Sequence, residues 1–308
     1  MPPEIVTSPE PWLDVDAAPE AVQRVGQRMA DGLAMLQVLK PFPQVVQRLI
    51  GMMQGPDFDV AKITRAVEED PALASSVLRV ANSVLFGGLM PSKTINQAIV
   101  RVGMRALYEM VVSVGVSGMF KDARGVGRKI RDHCAGVGAV VRALARVFSP
   151  KELDGVFVSG LMHDMGKLLL MQSESASYDA LTQSQAFLEF DELCPSERVL
   201  LGFDHATFGG FVVAAWKIPA PAPKVVAWHH QPARAFQDPS VARQVALLRI
   251  ADEMEPLLTA DKAGWKQLVS RVCQNDAARL AGVDEETLLD LGERLSEAKS
   301  SALALFGS

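Results

Sequence analysis

Five histidines, His133, His163, His205, His229 and His230, are the whole imidazole complement of this 308-residue chain, and all of them fall between positions 133 and 230. Clustering of metal-type side chains is the first signal to look for. Two carboxylates belong with them. Asp164 follows His163 directly, and Asp252 lies on the helical stretch beyond the His229-His230 pair. Imidazole nitrogen and carboxylate oxygen suit Fe, Mn or Zn, and such a site needs no thiolate. Neighbouring His and Asp side chains point about 100° apart around a helix axis. They cannot chelate as an i, i+4 pair does, but they can face a centre that other helices approach from different sides. A carboxylate such as Asp164 can bridge two ions, and paired ions generate hydroxide and clamp a phosphoryl group. Lys167, nearly one turn past Asp164, is spaced to contact a phosphate there.

Each of these residues also has an ordinary reading. A single histidine on an apolar helix is commonly a satisfied core or surface group, and for His133 alone that reading suffices. His229 and His230 close a helix, where a charged imidazole interacts well with the dipole. Asp252 in isolation carries no weight. The string Gly160-Leu-Met-His-Asp-Met-Gly-Lys is more specific than any of them.

The elements that must carry these groups read as helices almost without a break. A helix is expected over 21–39. Another follows Pro43, with proline in a first turn and then an apolar stripe. Asp59 and Asp70 stand where helix N-caps belong, the second followed by Pro71. Gly87-Gly88 breaks the chain, a helix restarts near Ser92 and ends at Gly103, and Met104 to Phe120 forms a further buried helix. His133 lies on a long helix, and His163-Asp164 ends the apolar run that starts at Val156. His205 opens a helix behind Asp204, and Gln231-Pro232 terminates the helix that ends in the histidine pair. No Asn-Gly hairpin signal separates alternating runs, so an all-α, two-layer or bundled architecture is expected.

Composition narrows the function classes. Apolar residues are 49%, charged residues 22% and aromatics 6%, a globular mix in which Ala, Val, Leu and Met favour helix. A net charge of -5 speaks against nucleic-acid binding by the surface as a whole. One stretch, 121–146, is locally basic through Lys121, Arg124, Arg128, Lys129, Arg131, Arg142 and Arg146. It reads as an anion-facing helix or as a solvated face. Cys134, Cys194 and Cys273 make no CxxC pair, so no disulfide scaffold or zinc ribbon is expected. Residues 1–18 are acidic and proline-rich, a flexible lead-in without the basic and apolar regions of a signal peptide. The stretch Val111 to Phe120 is too short to span a bilayer. A soluble, reduced, cytoplasmic protein is the expectation, with no membrane partner.

The string Gly160-Leu-Met-His-Asp-Met-Gly-Lys-Leu-Leu-Leu170 resembles the His-Asp signature of the HD superfamily of metal-dependent phosphohydrolases. Upstream, Pro41-Phe-Pro-Gln-Val-Val-Gln-Arg-Leu, Asp59-Val-Ala-Lys-Ile, Glu69-Asp70-Pro71-Ala72-Leu73, Leu78-Arg-Val-Ala-Asn-Ser83 and Ile95 to Gly103 look like the opening of the HDOD family, the HD-related output domain. Asp204-His205-Ala-Thr-Phe-Gly209, Trp216-Lys-Ile-Pro219 and His229-His230 follow in the family's order, so the resemblance covers about 33–256.

The resemblance implies an all-α fold: an N-terminal helical bundle, here 19–120, packed on a divergent HD-type helical core, here 121–256. Residues 257–308 are left as a C-terminal helical extension, read as a candidate partner surface. By position the superfamily's metal ligands are His133, His163, Asp164, His205, His229, His230 and Asp252, holding one or two divalent ions such as Fe, Mn or Zn. The family is bacterial and tied to signal transduction, and many members are thought to act through protein partners after losing catalysis. No receiver or diguanylate cyclase segment is recognisable, so a stand-alone member is expected. Two departures bear on catalysis. Relatives that degrade cyclic di-GMP carry a glutamate one turn before the first histidine, where this chain has Lys129. They also carry an Asp-Gly…Gly-Tyr-Pro segment after the histidine pair, where this chain runs Gln231-Pro-Ala-Arg-Ala-Phe-Gln-Asp-Pro. The expectation is a regulatory module working through a signalling protein partner. The alternative is a phosphohydrolase or phosphodiesterase acting on a phosphate-containing small molecule, with Asp164 and Lys167 in catalytic roles. Nucleic-acid binding through the basic helix ranks last.

Overall fold

A computed structural model describes residues 42–55, 59–86, 90–119, 125–151, 155–173, 193–258 and 262–306, together with Gln27, Tyr178 and Leu181. The lead-in expected over 1–18 and nearly all of the helix expected over 21–39 lie outside the described residues. Among the described residues every regular element is helical, and no helix is long and apolar enough to cross a membrane.

The N-terminal helices are α1 (Gln44–Gln54), α2 (Val60–Glu68), α3 (Pro71–Ala81) and α4 (Ile95–Met119), with a 3-10 turn at Val84–Phe86. Their starts follow from their caps. The Asp59 side chain accepts from the amides of Ala61 and Lys62, and Asp70 does the same for Ala72 and Leu73, so first-turn donors that no carbonyl can reach are satisfied. Inside α4, Gly103 has φ 81° and ψ 169°, which breaks the helical path where the sequence places a helix end.

The core region comprises α5 (Val126–Phe148), α6 (Val156–Met162), α7 (Met165–Ser173), α8 (Leu193–Leu201), α9 (His205–Ala215), α10 (Ala222–Trp228), α11 (Pro232–Ala235) and α12 (Ala242–Met254). Every residue of α6 is buried, as is α9 from His205 to Val213. Helices apolar all round belong in an interior: α6 packs against α4, α5, α10 and α12, and α9 against α7, α8 and α10. The C-terminal helices α13 (Lys262–Cys273), α14 (Asp276–Ala281), α15 (Glu285–Asp290) and α16 (Gly292–Phe306) follow. Asp284 caps α15 by accepting from the Thr287 amide. Helix α16 lies along α5 and touches the Val84–Phe86 turn.

Aromatic contacts and one ion pair join the N-terminal helices to the core. Phe42 stacks on Trp216 with ring centroids 4.8 Å apart, and Phe86 meets Phe157 edge-on. Between them Arg142 of α5 reaches Glu109 of α4 at 3.4 Å, with its guanidinium over the Phe86 ring. Two of the basic residues of 121–146 are thereby turned inward: Arg142 on Glu109, and Arg131 on Asp132 at 2.9 Å. Arg128, Lys129 and Arg146 face solvent, so the described part of the stretch, 125–146, does not present one continuous cationic face. Cys134, Cys194 and Cys273 are free thiols.

Candidate metal centre

The seven sequence-derived ligand candidates come from five helices and converge. His133 lies within α5 and Asp252 within α12. The others occupy helix ends: His163 caps the C-terminus of α6, Asp164 sits in the turn to α7, His205 is the first residue of α9, and His229 caps α10 with His230 next. Helix ends expose backbone groups that the side chains then use. Close approach of two of these ends depends on Gly166, where a Cβ would stand 2.0 Å from the His205 carbonyl oxygen. Without a side chain there, the start of α7 lies against the start of α9, and Asp164 comes within reach of His205.

Two carboxylates organise the histidines. Asp164 Oδ1 lies 3.2 Å from His205 Nε2 and 3.8 Å from His229 Nε2, and its Oδ2 lies 3.6 Å from His163 Nε2. Asp252 Oδ1 lies 2.9 Å from His133 Nε2 and 3.6 Å from His163 Nε2. Candidate donor atoms of Asp164, His205, His229 and His230 all fall within 4.8 Å of one another, as do those of His133, His163 and Asp164, and those of His163, His229 and Asp252. Asp164, His163 and His229 each belong to two of these groups, so the donors form one continuous cluster.

The imidazoles are aimed by what holds their far nitrogens. His163 Nδ1 donates to the Gly160 carbonyl at 2.8 Å and His229 Nδ1 to the Val226 carbonyl at 2.6 Å. His205 Nδ1 donates to Glu197 Oε2 at 2.7 Å. A carbonyl or carboxylate acceptor at Nδ1 keeps the proton there and leaves the Nε2 lone pair for a metal. In all three rings Nε2 points into the cluster, is buried, and has no hydrogen-bond partner, and the same holds for Asp164 Oδ1. Four orphaned, buried, electron-rich atoms in one place are what an interior avoids unless a cation joins them. Ligand atoms bound at ~2.1 Å lie roughly 3.0–3.4 Å apart in octahedral or tetrahedral geometry, close to the spacings found. The residues fit a divalent ion, and nitrogen and oxygen donors without thiolate suit Fe, Mn or Zn.

Electrostatics point the same way. Burial works against ionisation of Asp164, but the Lys167 ammonium and His163 outweigh it and hold the carboxyl well below the usual range. Burial likewise opposes ionisation of Asp252, and His163 and His133 override it. Burial lowers His163 and His205, yet Asp164 and Glu197 respectively lead the charges that hold them well above the ordinary imidazole value. His229 goes the other way: burial, then the neighbouring His230 and His163, depress it. With no ion bound, these carboxylates favour a proton on His163 and His205, at the place where a bound cation would otherwise meet them. Lys167 donates to Asp164 Oδ2 at 2.8 Å and is itself buried. It is directed at the carboxylate.

Several contributors are invisible in the motif. Glu197 on α8 also accepts from the His205 amide and takes the Tyr178 hydroxyl. Cys194 Sγ lies 3.9 Å from His205 Nδ1. Glu255, in the 3-10 turn Glu255–Leu257, holds His133 Nδ1 at 2.8 Å. That contact and the Asp252 bond more than offset burial, and the His133 imidazole is raised to about 10. The segment after the histidine pair forms α11, and Arg234 lies 4.9 Å from the Trp228 ring centroid.

The sequence profile of the HDOD domain family matches residues 39–232. An uncharacterized protein of Treponema pallidum is 23% identical over 195 residues, 61% of this chain, and the aligned part is 37% of that relative's length. Among solved structures, a Shewanella amazonensis protein with a provisional phosphohydrolase name superposes with TM-score 0.72 at 21% identity, covering 89% of this chain and 97% of that one. An HDOD domain protein of unknown function from Geobacter sulfurreducens gives 0.68 at 18% identity, over 92% and 99%. A Marinobacter aquaeolei protein with a provisional signal-transduction name gives 0.66 at 19% identity, over 96% and 67%. At these identities the structural likenesses establish the fold.

Proposed function

The chain belongs to the HDOD domain family, and from that membership we propose that it is a bacterial signal-transduction module acting through a protein partner, with a closed divalent-metal centre at its heart. The observation that carries this reading is the burial of the donors. His163 and His205 have no exposed surface and Asp164 and His229 almost none, while the His133 side chain retains 23%. Metal sites that hold structure are closed, whereas catalytic sites keep a position open to water and substrate. His133 and His230 are the part-buried members of the set, and at His133 Nδ1 is held by Glu255 while Nε2 faces Asp252. Lys129 at the position of the relatives' glutamate, and α11 in place of their Gly-Tyr-Pro segment, support the same reading.

In this reading His133, His163, Asp164, His205, His229, His230 and Asp252 hold the ion or ions and tie five helices together. Residues 33–120 and the outer faces of the C-terminal helices are left for the partner. A second reading, metal-dependent phosphohydrolase or phosphodiesterase, draws on the completeness of the donor set. A bound ion there would supply Lewis acidity and hydroxide at neutral pH. Protein purified without added metal or chelator separates the two. Near-stoichiometric Fe, Mn or Zn by elemental analysis, with no turnover across a panel of phosphomonoesters, nucleotides and cyclic dinucleotides, is the result expected. Turnover that Asp164→Asn abolishes in folded protein would overturn the module reading in favour of the enzyme.

A further inference from the structure

Resting on the metal-centre reading, we infer that the C-terminal helix α16 is part of the centre, and that Lys299 is a positioning residue that sets His133 through Glu255. The chain of contacts is short and buried. Lys299 Nζ donates to Glu255 Oε1 at 3.0 Å and to the Glu255 carbonyl at 2.7 Å. The other carboxylate oxygen, Oε2, receives His133 Nδ1 at 2.8 Å, and His133 Nε2 meets Asp252 Oδ1 at 2.9 Å. The Glu255 side chain is 6% exposed and that of Lys299 15%.

The space for this contact is built. Gly136 lies one turn beyond His133 on α5, and a Cβ there would stand 2.4 Å from Glu255 Oε1. Only a glycine lets the carboxylate lie against the helix beside the histidine. Asp252 and Glu255 are three residues apart, so they share a face across the junction of α12 and the 3-10 turn and grip the two nitrogens of one ring.

Charge and entropy give Lys299 its part. A buried carboxylate with one oxygen on His133 and the other left unpaired is unfavourable. Ordering a lysine has its own entropic cost, and here the ammonium offsets it by bonding both a side-chain oxygen and the backbone of the same residue. That double anchor fixes the rotamer of Glu255. A carboxylate fixed at Nδ1 fixes the plane of the imidazole and raises the basicity of Nε2, as outer carboxylates do for metal-bound histidines elsewhere. Both Glu255 and Lys299 lie beyond the 39–232 match to the family profile, so chain outside that match completes a site whose motif lies within it.

Co(II), whose visible spectrum reports coordination geometry, tests this in the full chain. In Lys299→Met, with circular dichroism unchanged, Co(II) affinity is expected to fall roughly 10–100-fold with an altered d–d spectrum, and Lys299→Arg to restore both. A folded Lys299→Met protein with wild-type affinity and spectrum overturns the inference. If Lys299→Met does not fold, Glu255→Gln poses the same question with the ammonium left in place: the same losses support the inference and their absence overturns it. The His133 imidazole 15N shifts in metal-free protein give a readout independent of metal uptake. Should wild type take up no Co(II), the metal-centre reading fails, and these shifts decide alone: movement in Lys299→Met upholds the positioning role and identity with wild type ends it.

Discussion

Asp164 Oδ1 stands 3.2 Å from Nε2 of His205, and neither atom makes a hydrogen bond. The contact distance is short enough for one, but the direction is wrong, and hydrogen bonds weaken steeply with misalignment. Once the Nε2 proton is lost, two lone-pair atoms so placed can share one metal ion. Asp164→Asn replaces one of the oxygens around which the histidines gather with an amide of similar size. Metal affinity should drop by more than the ~10–100-fold that loss of an outer partner causes, while helicity is retained. Competition with a colorimetric chelator measures the first and circular dichroism the second.

Glu197 tests whether the outer shell matters as much as the ligands. Its carboxylate serves His205 Nδ1, the His205 amide and the Tyr178 hydroxyl at once, and it is fully buried. Glu197→Ala strands those donors, and each unsatisfied buried group costs about 1–3 kcal/mol. Urea unfolding in the presence of chelator should show a loss within or above that range. A change smaller than any single stranded group would imply that water replaces the carboxylate.

The glycine between the histidines is a packing device with its own expected outcome. At Gly166 a Cβ meets the His205 backbone, which cannot swing away, whereas at Gly51 on α1 nothing lies within 4 Å. Gly166→Ala should destabilise by about 3 kcal/mol or more and lower metal content with it. Gly51→Ala, exposed and mid-helix, should stabilise by roughly 0.5–1 kcal/mol. Thermal melts of the two variants should move in opposite directions.

Much of this architecture was legible residue by residue. Asp59 and Asp70 read as caps, and each accepts first-turn amides. Gly103 read as a helix end and has a left-handed φ. These signals are local, so no knowledge of the fold is needed to see them. The convergence of the histidines was legible because the His163-Asp164 string is rare in composition. Glu197, Glu255, Tyr178 and Lys299 were not. Each is an ordinary residue type in the sequence, and its role exists only because a partner 8 to 122 positions away arrives beside it. The basic run 121–146 was ambiguous for a related reason. Arg131 and Arg142 are turned toward the core while Arg128 faces water, and net composition cannot tell which charges meet a buried acid.

The Glu109–Arg142 pair joins the N-terminal helices to the core, and its energetics can be separated from its specificity. Both side chains are largely buried, and burial pulls the Arg142 guanidinium down despite the Glu109 charge. Removing one member leaves the other charge stranded, so Glu109→Ala should cost about 3–5 kcal/mol. Replacing both, with Glu109→Leu and Arg142→Met, should lie within roughly 1 kcal/mol of wild type or above it. A double-mutant cycle by chemical denaturation gives the coupling directly. A double variant as weak as Glu109→Ala would show that the pair sets the docking of the two helical groups as well as balancing charge.

Protons and a metal ion compete for the same nitrogens, and the direction of that competition follows from the site. His163 and His205 are held well above the ordinary imidazole value in metal-free protein by Asp164, Asp252 and Glu197. Their protonation stabilises the metal-free fold fully below the ordinary value, and that contribution fades as the pH climbs toward the raised one. Asp164 and Asp252 are depressed, so their contribution is present above the ordinary carboxylate range and is lost only in acid. Between these limits, raising the pH weakens the metal-free protein and at the same time frees the nitrogens that an ion needs. The gap in melting temperature between Mn(II)-loaded and chelator-treated protein should therefore widen from about pH 6 to about pH 8, and loading at fixed pH should release protons that a weakly buffered titration detects. A gap that is flat or narrowing over that interval would mean that the ion is held outside the imidazole cluster, because only nitrogens shared with protons give the pH dependence this sign.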